Sequence, residues 1–123
     1  RLEKGMLLSG QDFDGSQTTL NTGHDWVINW NHDFIGKGAL LAQKNESYPV
    51  MRGILIEDRG IPRRGCEVYY ESRVVSKLTS GSLSPSLGKG IALAYLHQQP
   101  GSEVSVLVRD SHLKGKVVKP PFL

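Results

Sequence analysis

A lysine behind a glycine-rich loop, as Lys89 stands in TSGSLSPSLGKGIALAYL (79–96), suggests a phosphate cradle, in which backbone N–H groups and a helix N-terminus face the phosphates. The spacing excludes that chemistry here. Six residues including Pro85 separate Gly81 from Gly88, and Gly90 stands where a Ser or Thr should hold magnesium. Ile91, Leu93 and Tyr95 then alternate with Ala92, Ala94 and Leu96, a large–small period of two that predicts a buried strand rather than a helix. The loop is therefore expected to be a long connection between two strands.

The other chemistry-bearing residues fare similarly. His24, His32, His97 and His112 lack paired spacing and a neighbouring Cys or Glu pattern that would close a zinc site, so no metal ligand is assigned. The acids Asp12 with Asp14, and Glu57 with Asp58, sit beside glycine-marked turns, where solvated carboxylates are ordinary, and they are read as such. The serines of 80–86 occur without a Gly-x-Ser-x-Gly elbow, and no catalytic residue is assigned. Arg59, Arg63 and Arg64 cluster around Gly60-Ile61-Pro62; they have the fork geometry to bind a carboxylate or phosphate, but a solvated turn accounts for them. Cys66, the single thiol, is expected as a small buried hydrophobe.

The elements that would position these residues form two textures. From Asp25 to Trp30 one face of a strand would carry Trp26, Ile28 and Trp30, and a short amphipathic helix capped by Asp33, with Gly36 and Gly38 weakening its first turn and Ala39, Leu40, Leu41 and Lys44 giving its pattern, should follow. One strand and one marginal helix cannot bury two indoles, so residues 1–47 read as an incomplete α/β piece whose missing strands come from elsewhere. A self-dimer of the chain is one way to supply them. The start at Arg1 without an initiator Met agrees with a piece of a longer chain. After Tyr48-Pro49, six short strands are expected, over about 51–57, 66–70, 73–78, 91–96, 103–108 and 114–118, separated by turn signals as in a β-barrel or sandwich.

Composition bounds the rest. A chain of 123 residues with a formal charge of +3 and a pI near 9.1 is one domain's length with mixed charge, and has no apolar run long enough to span a membrane. A cytoplasmic location is expected, or a mitochondrial one in a eukaryote. His112, Lys114, Lys116 and Lys119 are read as the wet face of a sheet; with no aromatic residues interleaved, nucleic acid is not an expected partner.

Taken together, RLEKGMLLSGQD, GHDWVINWNHDFIGKGALLAQK, EDRGIPRRGCEV, KLTSGSLSPSLGKGIALAYL and KVVKPPF resemble, in order and spacing, the C-terminal third of the aminomethyltransferase (glycine cleavage T-protein) family. The resemblance implies that 1–47 is the second half of a discontinuous, ferredoxin-like α/β middle domain and 48–123 a jelly-roll-like C-terminal barrel. It implies tetrahydrofolate as cofactor, lipoylated H-protein as partner, and an activity that moves an aminomethyl group with release of ammonia and formation of 5,10-methylenetetrahydrofolate. The family's catalytic aspartate lies upstream of the residues present, so the chain alone is expected to be inactive. Of the folate contacts, only the arginine of the RLE motif matches, at Arg1. Ser9, Thr19, Asn21 and His24 depart from the family pattern. The alternatives are the folate-accepting end of a sarcosine or dimethylglycine dehydrogenase, and a non-enzymatic binding module.

Overall fold

Alternating burial over 50–118 gives seven antiparallel strands in a computed structural model that describes residues 1–24, 30–31 and 34–123. They are β1 (Val50–Ile56), β2 (Glu67–Tyr70), β3 (Arg73–Lys77), β4 (Ser80–Ser84), β5 (Lys89–Leu96), β6 (Glu103–Val108) and β7 (Ser111–Val118). Their order in the sheet is β3-β2-β6-β7-β1-β5-β4. The two edge strands of that order, β3 and β4, are consecutive in the chain and separated only by Leu78 and Thr79. A sheet whose edges are joined in this way must curl round on itself, which is how a barrel removes its exposed edges. The Thr79 N–H donates to the Leu93 carbonyl (2.9 Å) and the Leu78 N–H to the Cys66 carbonyl (2.8 Å), so the joint is bonded to both neighbours.

The mainly β architecture follows the sequence reading, with one strand more than the six expected. The extra strand, β4, lies in the stretch read as a connection; only Pro85 to Gly88 is a true turn there, closed by the Gly88 N–H on the Ser84 carbonyl (2.8 Å). The β2–β3 hairpin turns on Glu71 and Ser72, both at positive φ (50° and 67°), the handedness that matches strand twist in a two-residue loop.

Two apolar clusters hold the molecule together, and β5 divides them. Ala92, Ala94 and Leu96 face the barrel interior with Ile54, Ile56, Val68, Val106 and Val117. Ile91 and Leu93 face outward and pack with Met51 and Leu2, flanked by Leu7, Tyr95 and Phe122. The second cluster explains why an outward-facing row of a barrel strand is apolar: the chain's first residues cover it. Cys66 is half-buried against the interior cluster, where a small apolar side chain was expected.

Within 1–47 the described residues form a 3-10 turn at Leu2–Lys4 and a helix, α1 (Lys37–Lys44). The helix starts at Lys37, behind Gly36 at φ 87°, later than a cap at Asp33 would place its start, and buries none of its residues. The expected strand over Asp25 to Trp30 falls, except for Trp30, outside the described residues, and so does the proposed cap Asp33. Trp30 itself is half-buried, with the Lys44 ammonium 4.8 Å from its ring centroid. Among the described residues no helix is long and apolar enough to cross a membrane.

On β7, His112, Lys114 and Lys116 are exposed while Leu113, Gly115 and Val117 are buried, which is the wet basic face expected. Lys116 there stands opposite Glu103 in the register. Lys119 does not belong to that row: it lies past the end of the strand, with the opposite parity.

Candidate functional site: the clasp between the first residues and the barrel

The joint between β3 and β4 places Thr79 and Ser80 where the first twelve residues cross the barrel. Asp12, only 1% exposed, occupies that crossing. Its Oδ1 accepts from the hydroxyls of Thr79 (2.7 Å) and Ser80 (2.5 Å). Its Oδ2 accepts from the Leu8 N–H (2.8 Å) and from Arg1 Nη1 (2.9 Å). All four lone-pair sites of the carboxylate are therefore filled. The Asp12 carbonyl in turn accepts from the Tyr95 hydroxyl (2.6 Å). Burial pushes the Asp12 carboxyl up, but the Ser80, Thr79 and Leu8 hydrogen bonds, with the Arg1 charge, outweigh it and hold the group below the usual aspartate value. Burial, then the charges of Asp12 and Asp14, raise the Tyr95 phenol to about 12, so it stays a donor.

Asp12 was read from sequence as a solvated turn carboxylate, and burial corrects that reading. Its partners Thr79 and Ser80 lie 67 and 68 residues away, so nothing in its neighbourhood along the chain signals burial. Asp14 does fit the turn reading: it is exposed and accepts from the N–H and hydroxyl of Ser16. Glu57 and Asp58 are exposed as expected, and Asp58 additionally accepts from the Lys114 N–H (2.8 Å).

A second carboxylate repeats the arrangement one strand-length on. Glu3 accepts from the Ser84 hydroxyl and from the Ser86 N–H (3.3 Å), and the Ser84 bond holds its carboxyl below the usual value. The Glu3 carbonyl accepts from the Phe122 N–H (2.9 Å). The closing residues thus lie on the opening ones. A Cβ added at Gly5 would stand 2.9 Å from Pro120 Cβ, and one at Gly53 would stand 2.7 Å from the Phe122 ring, so glycine is what lets the tail seat on β1.

Two glycines of TSGSLSPSLGKG, Gly81 and Gly90, serve the same kind of close approach. A Cβ at Gly81 would meet the Pro62 backbone at 2.7 Å, and one at Gly90 would meet Pro62 Cδ at 2.6 Å. Pro62 is fully buried in that bed. The Arg59, Arg63 and Arg64 of the same loop are exposed around it, as a solvated turn requires.

Arg1 closes the clasp and opens the cleft. One guanidinium nitrogen donates to the Met6 carbonyl (2.8 Å) and to Asp12, and the other to Ser80 Oγ (3.3 Å). Ser80 Oγ also accepts from Gln11 Nε2 (2.9 Å). Three of the five guanidinium N–H donors are thereby committed. The remaining two belong to a side chain that is 36% exposed, at the edge of a cleft of about 340 Å³ shared with Gln11, Ser80, Ser82 and Pro85. Such an edge presents two preset donors and amide and hydroxyl groups to a planar polar ligand or a carboxylate. Among the described residues no group of three His, Cys, Asp or Glu side chains is placed to hold a metal; His32 lies outside them.

The family departures fall within residues 9–24. Asn21 is built in: its side chain donates to the Pro49 carbonyl (2.9 Å), and its own carbonyl accepts from the Met51 N–H (2.6 Å). Thr19 buries its hydroxyl without a partner among the described residues. Ser9 is exposed and bridges to Phe13. His24 lines a second cleft, on the other side of the Leu2–Lys4 turn.

Residues 50–123 match the family described as the glycine cleavage T-protein C-terminal barrel domain. Over 99% of its length the chain is 43% identical to the aminomethyltransferase of Thermosynechococcus vestitus. It is 42% identical over its whole length to that of Legionella pneumophila and 40% identical to that of Thermotoga neapolitana. The chain spans about a third of the length of these relatives, 35%, 35% and 34% respectively. Among solved structures, the glycine cleavage system aminomethyltransferase T of Bartonella henselae superimposes on all of the chain with a TM-score of 0.87 at 26% identity, over 37% of its own length. With its barrel matched as a domain and its first residues aligned throughout, the chain belongs to the glycine cleavage T-protein family.

Proposed function

We propose that the chain supplies the C-terminal part of a tetrahydrofolate-dependent aminomethyltransferase of the glycine cleavage system, which takes the aminomethyl group from lipoylated H-protein and releases ammonia. The observation that carries this reading is the placement of Arg1: fixed by Asp12, Met6 and Ser80, yet partly exposed at the edge of a cleft with two donors uncommitted. Residues 1–47 are proposed as the second half of a discontinuous α/β middle domain, and 48–123 as the barrel. The exposed Ile35 (fully accessible), Met6 (62%) and Leu8 (45%) support an apolar face there that further chain would cover.

The cleft fits tetrahydrofolate as one wall of a larger pocket. Its volume of about 340 Å³ takes part of such a molecule, and Arg1, Gln11 and Ser80 offer the donors and acceptors that a pterin edge or a glutamyl carboxylate pairs with. Tetrahydrofolate, when bound, supplies the nitrogen atoms that accept the one-carbon unit. This chain's share is to bind and orient: Arg1 neutralises and positions an anionic or carbonyl edge, Asp12 holds Arg1, and the Pro85 turn shields one side. No residue present is assigned to proton transfer.

The test is a chimera in which this chain replaces the matching third of the Thermosynechococcus vestitus aminomethyltransferase. Ammonia release from aminomethyl-lipoylated H-protein is expected from the chimera in the presence of tetrahydrofolate, and none from the isolated chain. Turnover by the isolated chain, or a folded chimera without ammonia release, would contradict the proposal.

A further inference from the structure

The second cleft, of about 670 Å³, shares no lining residue with the Arg1 cleft. On the interior face of β1, Val50 and Arg52 continue the row of Ile54 and Ile56 towards one end of the barrel. On β7, Lys119 continues the buried row of Leu113, Gly115 and Val117. The pairing of Gly53 with Val118 puts Arg52 and Lys119 at neighbouring positions one step further. Like charges side by side on adjacent strands repel unless something anionic lies between them. Across β1 from Lys119, Arg52 faces Ala94, which offers no side-chain acceptor. Lys4, which also lines the cleft, adds a third cation.

Among the described residues no carboxylate lines this cleft. Among the described residues none of these three side chains has a hydrogen-bond or ion-pair partner, and the Arg52 Nε–H is buried without an acceptor. A buried, unpaired guanidinium donor is a costly state that an incoming acceptor relieves. The rest of the lining combines the apolar Leu7, Leu20, Met51 and Pro120 with the polar Thr22, His24 and Tyr48. A concavity that joins convergent cations to an apolar strip suits a small molecule with a charged head and an apolar body.

We propose that this cleft binds a small organic anion, with a phosphate or carboxylate group against Arg52, Lys119 and Lys4 and an aromatic or aliphatic body against Leu20, Tyr48 and Pro120. The site stands apart from the Arg1 cleft, and its test does not depend on the transferase reading. Phenyl phosphate, benzoate and neutral phenol are titrated into the chain and followed by amide chemical shifts. At least one of the two anions is expected to bind ten or more times more tightly than phenol, with the largest shifts at Tyr48, Arg52 and Lys119. A preference for phenyl phosphate assigns the phosphate class, and one for benzoate the carboxylate class. The double substitution Lys4→Met and Lys119→Met, at exposed positions that leave the fold intact, should weaken that binding about tenfold. Anions that bind no better than phenol, shifts centred on Gln11 and Ser80 instead, or undiminished binding by the double variant would each overturn the proposal.

Discussion

Asp12→Asn is expected to lower the unfolding free energy by about 3 kcal/mol, although it changes no volume and lies in a segment without regular structure. The carboxylate accepts four hydrogen bonds at 1% exposure. An amide nitrogen in the place of Oδ2 would face the Leu8 N–H and Arg1 Nη1, donor against donor. Each buried donor left without an acceptor costs about 1–3 kcal/mol. The ion pair adds less than a fully buried one, because Arg1 is 36% exposed and regains water. Urea unfolding at neutral pH measures the difference; a loss below about 1 kcal/mol would mean the carboxylate is not what holds the first residues to the barrel.

The pH dependence provides a second reading of the same group. Its carboxyl is held below the usual value in the folded chain, so the stability it contributes is fully present above the unfolded value, about 3.9. That contribution is lost as pH falls through the lower folded value. Asp12→Asn should remove this part of the acid transition and leave the parts due to Glu3 and Asp14, whose carboxyls are also held low by hydrogen bonds from Ser84 and Ser16.

Gly81→Ala is the second large effect, expected at about 3 kcal/mol of destabilisation. The new Cβ would stand 2.7 Å from Pro62 C and O and 2.9 Å from Arg63 N. All three are backbone atoms, so a side-chain rotation cannot relieve the contact. Gly38→Ala is the contrasting control: nothing lies within 4 Å of its Cβ site, and it stands inside α1. There the exchange should be neutral or stabilising by up to about 1 kcal/mol. Equal effects at the two positions, measured by chemical denaturation, would contradict the close packing of the Pro62 loop on β4 and β5.

These two positions also show what the sequence carries openly and what it does not. β6 and β7 are legible because their rows of Val and Leu alternate with small or polar residues, which reflects one buried face, whereas β1 and β5 are legible as short apolar runs because both their faces are covered. β4 hides because its buried residues are Ser80 and Ser84. Serine is tolerated there since its partners are the carboxylates of Asp12 and Glu3, supplied from 68 and 81 residues away. A polar strand paired with distant acids leaves no periodic apolar trace. Likewise, Gly81 and Gly90 against Pro62, and Gly5 and Gly53 against the Pro120–Phe122 tail, read locally as turn chemistry, and only the assembled barrel shows them as close approaches. The order and spacing of the motifs, by contrast, carried the family resemblance, because the same residues that resist local explanation are those joined across the fold.

Arg1 is the one folate contact proposed for this chain. The decisive measurement is the KM for tetrahydrofolate of the Thermosynechococcus vestitus chimera, with Arg1 and with Arg1→Ala. A rise of tenfold or more, with the KM for lipoylated H-protein little changed, is the expected result. It corresponds to about 1.4 kcal/mol or more of lost binding, as for a charge-assisted hydrogen-bonded contact. Unchanged KM for tetrahydrofolate in a folded variant would contradict the role of Arg1 and make its contacts with Asp12, Met6 and Ser80 purely structural.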